Sequence, residues 1–398
     1  MKFTMTPVLV ALAAFVQAAA AAQTPAQLAV QARQRFIQDA KTTLFSVRTC
    51  REDLCVDTTS REAADFLRHQ SASGLVVRLL PEAAPDQPIV GLVRVPVAAL
   101  HRSNAFSSEI VSEAVMGTPV RLLEKNGWWH VQTPEGYLGW VHSLQVTPLT
   151  AAAYAQYLEK RRAVVSDLAA PVYARADRRA VVTELPNGAL VTRTGVVDPR
   201  GLEAVRLPDG RTGWMETARL QDFEAAQRRT KQRLKTPQAL RERVADQALR
   251  LLGRSYRWAG TSPWGLDCSG LVKAAWRMAG LEGPRDADQM ARLKGHLPAE
   301  ITTFLKGDLL FFGRRGVSHV GISLGGTRFV HSLGDVHVGD LDPKSPFYEP
   351  GVSPTFLFAV RPAFTPSCLT ALVDVPLYNG RSFEPLVCPR PKSVEAGR

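Results

Sequence analysis

Two short segments, "PEGYLGW" (134–140) and "PDGRTGW" (208–214), share the pattern P-acid-G-x-x-G-W at a spacing of 74 residues. Each follows a strand-like run, "WWHVQT" and "LEAVRL". Each is also preceded by a Gly-led apolar stretch, "GTPVRLLEKNG" and "GALVTRTGV". Short alternating strands punctuated by Gly, Asn and Asp turns build small β-barrels, and one repeat unit here is about 60 residues. A shared turn by itself would also suit two unrelated hairpins.

The N-terminus places the chain. Lys2, an apolar run from Val8 to Val16 and a small-residue stretch ending near Ala22 have the three regions of a secretory signal peptide, and the apolar run is too short to span a membrane. Residues 1–22 are therefore expected to be removed and the rest exported, periplasmic or secreted, with no transmembrane anchor. In an oxidising compartment the five cysteines read as follows. Cys50 and Cys55 flank "REDL" and can close a small loop; Cys368 and Cys388 can staple the C-terminal tail. Cys268 is left over, as a reactive thiol or an intermolecular partner. No Cys or His pair near it has structural zinc spacing, and no metal or cofactor is expected. Lys and Arg outnumber Asp and Glu by 49 to 37, a net charge of +12, which suits an anionic wall polymer or membrane surface better than nucleic acid in an exported protein, and suits plain solubility equally well.

The chain divides into a mostly helical segment (23–86), with helices expected around 25–41 and 61–69, two barrel units (87–149 and 163–222), a chemistry-bearing region (238–363) and a Pro-rich tail (364–398). "FEAAQRRTKQRLKTP", charged and nearly without large apolar residues, reads as an exposed connection. Thr236 and Pro237 then suit an N-cap and a first helical position, and Leu240, Val244, Ala248 and Leu251 recur at helical spacing before Gly253.

In "WGLDCSGLVKAAWRMAG" the apolar spacing places Cys268 at a helix N-terminus, where free backbone amides and the helix dipole would lower the thiol pKa and could steady an oxyanion. A thiol nucleophile needs a base. Downstream, "DLLFF", "HVGISL" and "RFVHS" alternate as three antiparallel strands; with "GGT" as a hairpin turn, His319 and His331 come side by side, one as base and one holding its tautomer.

"YRWAGTSPWGLDCSG", "GDLLFF", "SHVGISLG" and "FVHS", in that order, resemble the NlpC-type cell-wall cysteine peptidases, and the two repeats resemble bacterial SH3-like domains. The resemblance implies a multidomain chain, two small SH3-like β-barrels followed by a papain-like α+β cysteine peptidase domain with a Cys-His-His triad. The combination is similar to the γ-D-glutamyl-L-diamino-acid endopeptidases, which release L-Ala-D-Glu from peptidoglycan stem peptides whose L-Ala amine is free. Carried over, it implies Cys268 as nucleophile, His319 as base and then acid, His331 as the orienting member and Tyr256 as an oxyanion donor, a core tyrosine being the alternative. Asp267 and Ser269, which are also good helix caps, match residues lining the L-Ala-γ-D-Glu subsite. Trp258 matches a pocket wall or a core residue, and Asp286 an acid holding the amine. Ala287 stands where relatives often carry a hydroxyl, which puts one contact to a substrate carboxylate in doubt. In the first barrel, Tyr137 and Glu109 match residues that close the cleft, whereas the second repeat has Arg211 in place of Tyr137. The expected partners are stem peptides or muropeptides, bound by a monomer. Three other functions suit the same residues: a hydrolase of intact wall with the barrels as anchors, a wall-binding protein without catalysis, and a Cys-dependent acyltransferase, which would pass through the same kind of thioester.

Overall fold

The computed structural model describes residues 23–386 and 388, apart from 71, 83 and 85. The expected signal peptide, residues 1–22, lies outside the described residues. No helix among the described residues is long and apolar enough to cross a membrane.

The N-terminal unit is mixed rather than mostly helical. Helix Pro25–Phe36 starts on a Thr24–Gln27 capping box, and helix Arg61–His69 is capped by Ser60. Between and after them run Phe45–Cys50, its antiparallel partner Asp53–Thr58 and the parallel strand Leu75–Leu79. Leu28, Ala32, Phe45, Val56 and Leu67 share their core. Cys50 is disulfide-bonded to Cys55 across the hairpin. The first helix stops at Phe36, short of 41, because Asp39 organises a turn: its side chain accepts the Lys41 N–H and its carbonyl the N–H groups of Thr42 and Thr43. Asp competes with a helix for backbone partners in this way.

Two seven-stranded antiparallel sheets follow, over Val90–Leu149 and Arg162–Asp222, each with a hydrophobic core, that of the second including Met116 from the first. The repeated heptapeptide has the same physical role in both. Gly136 and Gly210 take φ of 90° and 87°, the left-handed region that favours glycine. At Gly139 a Cβ would come within 2.8 Å of the Leu100 side chain, and at Gly213 within 2.4 Å of the Val172 side chain, so both positions need the missing side chain for strands to cross.

The segment after the second barrel is no exposed connection. It forms helix Phe223–Arg233, capped by Asp222, with Phe223, Gln227 and Thr230 turned inward. Thr230 Oγ1 donates to the Ala279 carbonyl and Gln227 Oε1 accepts from Val373 N, so polar side chains satisfying backbone groups replace the apolar stripe that periodicity looks for.

In the last domain helices Pro237–Leu249 and Cys268–Met278 lie against a five-stranded antiparallel sheet ordered Asp335–Asp340, Arg328–Leu333, His319–Gly325, Leu309–Phe312, Phe356–Val360. Leu271, Val272 and Ala275 of the second helix share a core with Val320, Ile322 and Val330 of the sheet. Each fully buried Leu, Ile or Val contributes roughly 1.5–3 kcal/mol, enough to hold the helix N-terminus firmly over the sheet. The tail is ordered by more than its Cys368–Cys388 disulfide. Thr370–Ala371 pairs with Leu281–Glu282, Arg162 Nη1 donates to the Tyr378 carbonyl, and Glu384 pairs with Arg121 of the first barrel.

Candidate active site

The helix carrying Cys268 begins where it does because Asp267 is extended and its Oδ1 accepts the Gly270 N–H at 2.6 Å. Gly270 is required: a Cβ there would stand 1.8 Å from the Gly260 carbonyl oxygen. Cys268 is the free cysteine and is half-buried. The expectation of a lowered thiol pKa is overturned. Burial, followed by the charge of Asp267, pushes the thiol up to about 11, outweighing the backbone amides of Val320 and Ser269 that pull it down. The helix N-terminus does favour the thiolate, but exclusion from water and an adjacent carboxylate are larger.

His319 opens its strand and His331 lies on the next, with their rings perpendicular and His319 Nε2 2.8 Å from His331 Nδ1. Burial and then the neighbouring rings of His331 and His337 lower His319 to about 3, so its imidazole is neutral at neutral pH. Behind His331 the chain continues: its Nε2 lies 2.7 Å from Glu349 Oε1, and His337 Nε2 lies 2.6 Å from the same oxygen. A carboxylate only accepts, which puts the proton of neutral His331 on Nε2. His331 Nδ1 then accepts from His319 Nε2–H, leaving the lone pair of His319 on Nδ1. His337 donates from both nitrogens, to Glu349 and to Asp335. Burial works against its charge, but those two carboxylates hold its pKa above the ordinary value. The ligand atoms of His331, His337 and Glu349, within 4.8 Å of one another, are the set among the described residues that could hold a metal ion; here both imidazoles hydrogen-bond to Glu349.

Sequence reasoning missed Glu349 and His337. His337 was within reach, since "HSLGDVH" reads as a hairpin and pairs His331 with His337 in register. Glu349 sits in the loop after the sheet's edge strand and carries no local signal.

One cavity of about 890 Å³ is lined by Tyr137, Glu109, Tyr256, Trp258, Asp267, Cys268, Ser269, Asp286 and His319, while His331 is fully buried behind His319. Tyr256 is pushed up to about 12 by burial, then by Cys268 and Asp267, and so keeps its proton. Trp258 is 63% exposed, which excludes a core role, and its indole N–H donates to Glu109 Oε1 at 3.1 Å. Asp267 and Ser269 are held by Arg285, a fully buried guanidinium that donates to Asp267 Oδ2 at 2.6 Å and to Ser269 Oγ at 2.8 Å. Arg285 was not singled out in the sequence, although it directly precedes Asp286. Asp286 Oδ2 accepts from the Tyr137 hydroxyl at 3.0 Å and from Lys41 Nζ at 2.7 Å.

Buried charge holds the first barrel here. Lys273, on the Cys268 helix, lies between Glu282 at 2.5 Å and Glu135 at 3.0 Å, and Glu135 belongs to the same turn as Tyr137. Glu113 accepts from Thr261 N and pairs with Arg257, and Arg285 Nε donates to Ser112 Oγ. In the second barrel Arg211 pairs with Asp209 of its own turn and lies outside the cavity.

A papain-like α+β domain with a thiol and two imidazoles, walled by one of two SH3-like barrels, defines a cysteine peptidase. Residues 253–356 match the NlpC/P60 family and residues 100–146 the bacterial dipeptidyl-peptidase Sh3 domain. The chain is 30% identical over 269 residues to dipeptidyl-peptidase 6 of Lysinibacillus sphaericus, covering 65% of this chain and 94% of that protein. It is 27% identical over 240 residues to the γ-D-glutamyl-L-lysine dipeptidyl-peptidase of Bacillus cereus, covering 57% and 68%. A crystal structure of an NlpC/P60 family protein from the same Bacillus cereus strain superposes with a TM-score of 0.55 at 20% identity, covering 69% of this chain and 99% of that one. The chain belongs to the NlpC/P60 family of peptidoglycan-hydrolysing peptidases.

Proposed function

We propose that the protein hydrolyses the γ-D-Glu to diamino-acid bond of peptidoglycan stem peptides with a free N-terminal L-Ala, outside the cytoplasm and as a monomer. The observation that supports this reading is that the carboxylates of Asp286 and Glu109 and the Tyr137 hydroxyl line the same cavity as Cys268, where they can receive a cationic amine. A longer donor would meet the first barrel and would bring no ammonium to these carboxylates.

In this mechanism His319 Nδ1 takes the thiol proton as Sγ attacks the γ-carbonyl carbon. The oxyanion is met by the Cys268 amide and the Tyr256 hydroxyl, each donor being worth roughly 3 kcal/mol of barrier. The His319 imidazolium then protonates the departing amine of the diamino acid, leaving a thioester. Water, deprotonated by His319, releases L-Ala-D-Glu and restores the thiol. His331 holds the tautomer of His319, and Glu349 is the positioning residue that holds the tautomer of His331.

Mass analysis of the products from defined muropeptides, with the L-Ala amine free or acetylated, tests this reading. Release of L-Ala-D-Glu is the expected result. Cleavage at another bond would overturn it in favour of a hydrolase of intact wall, and no cleavage of either peptide in favour of a binding protein.

A further inference from the structure

Among the described residues, Lys41 is the one from the N-terminal unit that lines the cleft. Its position is fixed by the main chain on both sides. The Lys41 carbonyl accepts from Leu138 N, next to Tyr137, and its N–H donates to Asp39 Oδ1. Asp39 Oδ2 in turn accepts from Gln289 and Arg292 of the peptidase domain, and the Thr42 carbonyl accepts from Gln132 of the first barrel. The turn that ends the first helix is thus clamped between barrel and peptidase domain. Its ammonium reaches Asp286 Oδ2 at 2.7 Å and Asp288 Oδ1 at 3.0 Å. That Asp286 oxygen is the one the Tyr137 hydroxyl also faces.

An alkylammonium on a carboxylate beside a tyrosine hydroxyl is chemically the pairing that a peptide's α-ammonium would make at the same place. We propose that Lys41 is a specificity-determining residue, an intramolecular cation that competes with the substrate's α-ammonium for Asp286 and so blunts the preference for a free N-terminus. This rests on the reading that Asp286 and Tyr137 receive the L-Ala amine. The Lys41 side chain is 46% exposed, so it can swing away into water when a substrate amine arrives. The contact therefore competes with the substrate and does not lock the site. Partly exposed ion pairs are weak, and a binding-competent fraction lowered by such a pair raises the apparent KM by on the order of 2- to 5-fold.

The experiment compares kcat/KM on L-Ala-γ-D-Glu-diaminopimelate and on its N-acetylated form for the wild type, Lys41→Met, Lys41→Gln, Lys41→Arg and Asp286→Asn, with a thermal melt of each. The expected result is that Lys41→Met and Lys41→Gln lower KM for the free amine and raise the free-to-acetylated ratio about 2- to 5-fold, while Lys41→Arg stays near the wild type. An unchanged or lower ratio in the folded neutral variants, with Asp286→Asn still raising KM for the free amine, overturns the role of Lys41 and leaves the amine subsite standing. Equal kcat/KM on both peptides in the Lys41→Met background, together with no effect of Asp286→Asn, overturns the amine subsite and the role of Lys41 with it.

Discussion

Cys268 should be a thiol at rest and not one half of a thiolate–imidazolium pair, and alkylation can decide between them. With the thiol at about 11 and His319 at about 3, both groups are neutral across the physiological range. At pH 7 roughly 1 molecule in 10,000 then carries the thiolate, against about 3% for an unperturbed thiol of pKa about 8.5. Iodoacetamide modification of the substrate-free protein, followed by intact mass from pH 5 to 10, should be slow at pH 7. Its rate should rise about tenfold per pH unit with no plateau below pH 10. Removing the carboxylate next to the thiol, with Asp267→Asn, should move the profile to lower pH, because the charge goes and the Arg285 guanidinium is left unneutralised beside it. A rate that is flat between pH 5 and 8 would refute the reasoning, since it would mean that the helix amides and His319 stabilise the thiolate more than burial and Asp267 oppose it.

Glu349→Leu removes the acceptor that holds the tautomer of His331 and should lower kcat by roughly 10- to 100-fold with little change in KM, whereas Glu349→Gln, which can still accept from Nε2–H, should lose less. Steady-state kinetics on the tripeptide separates the two. His319 makes stability depend on acid in a definite direction. Its folded pKa of about 3 lies below the unfolded value of 6.5, so its contribution is complete above pH 6.5 and is lost as the pH falls towards 3. Each pH unit in that window costs about 1.4 kcal/mol, and a His319→Phe variant should show a shallower acid denaturation in urea titrations at pH 4 and 7. Lys273→Met strands Glu135 without its cation and leaves Glu282 with only Arg277, 3.8 Å away; it should destabilise the protein by about 3–5 kcal/mol, and a double Lys273→Met/Glu282→Gln variant should recover part of that in thermal melts.

The strands bearing His319 and His331 were legible because alternation is a local property, and a hairpin turn of two glycines fixes which residues face each other. The helix start at Cys268 was legible for the same reason: an N-cap and a 3.6-residue apolar repeat lie within a dozen residues. Helix Phe223–Arg233 escaped because its inward face carries Gln227 and Thr230, which bond to backbone groups 146 and 49 residues away and so leave no apolar pattern. The three strands of the N-terminal unit escaped because its short helices were the stronger local signal.

The sequence alone determined the class of the chain: paired barrels from a repeated turn, and a thiol with two imidazoles from blocks in order. It did so because turn chemistry, periodicity and motif order act over short stretches. What only the tertiary structure decided is electrostatic and distant in the chain. It buried the thiol, and that burial, together with the charge of the adjoining Asp267, reversed the expected direction of its pKa. It also set Glu349 behind His331, and carried Lys41 across 245 residues of sequence to Asp286. The physical reason is that a charge acts on whatever folding brings within a few ångströms of it, and that neighbourhood is set by how the domains pack together.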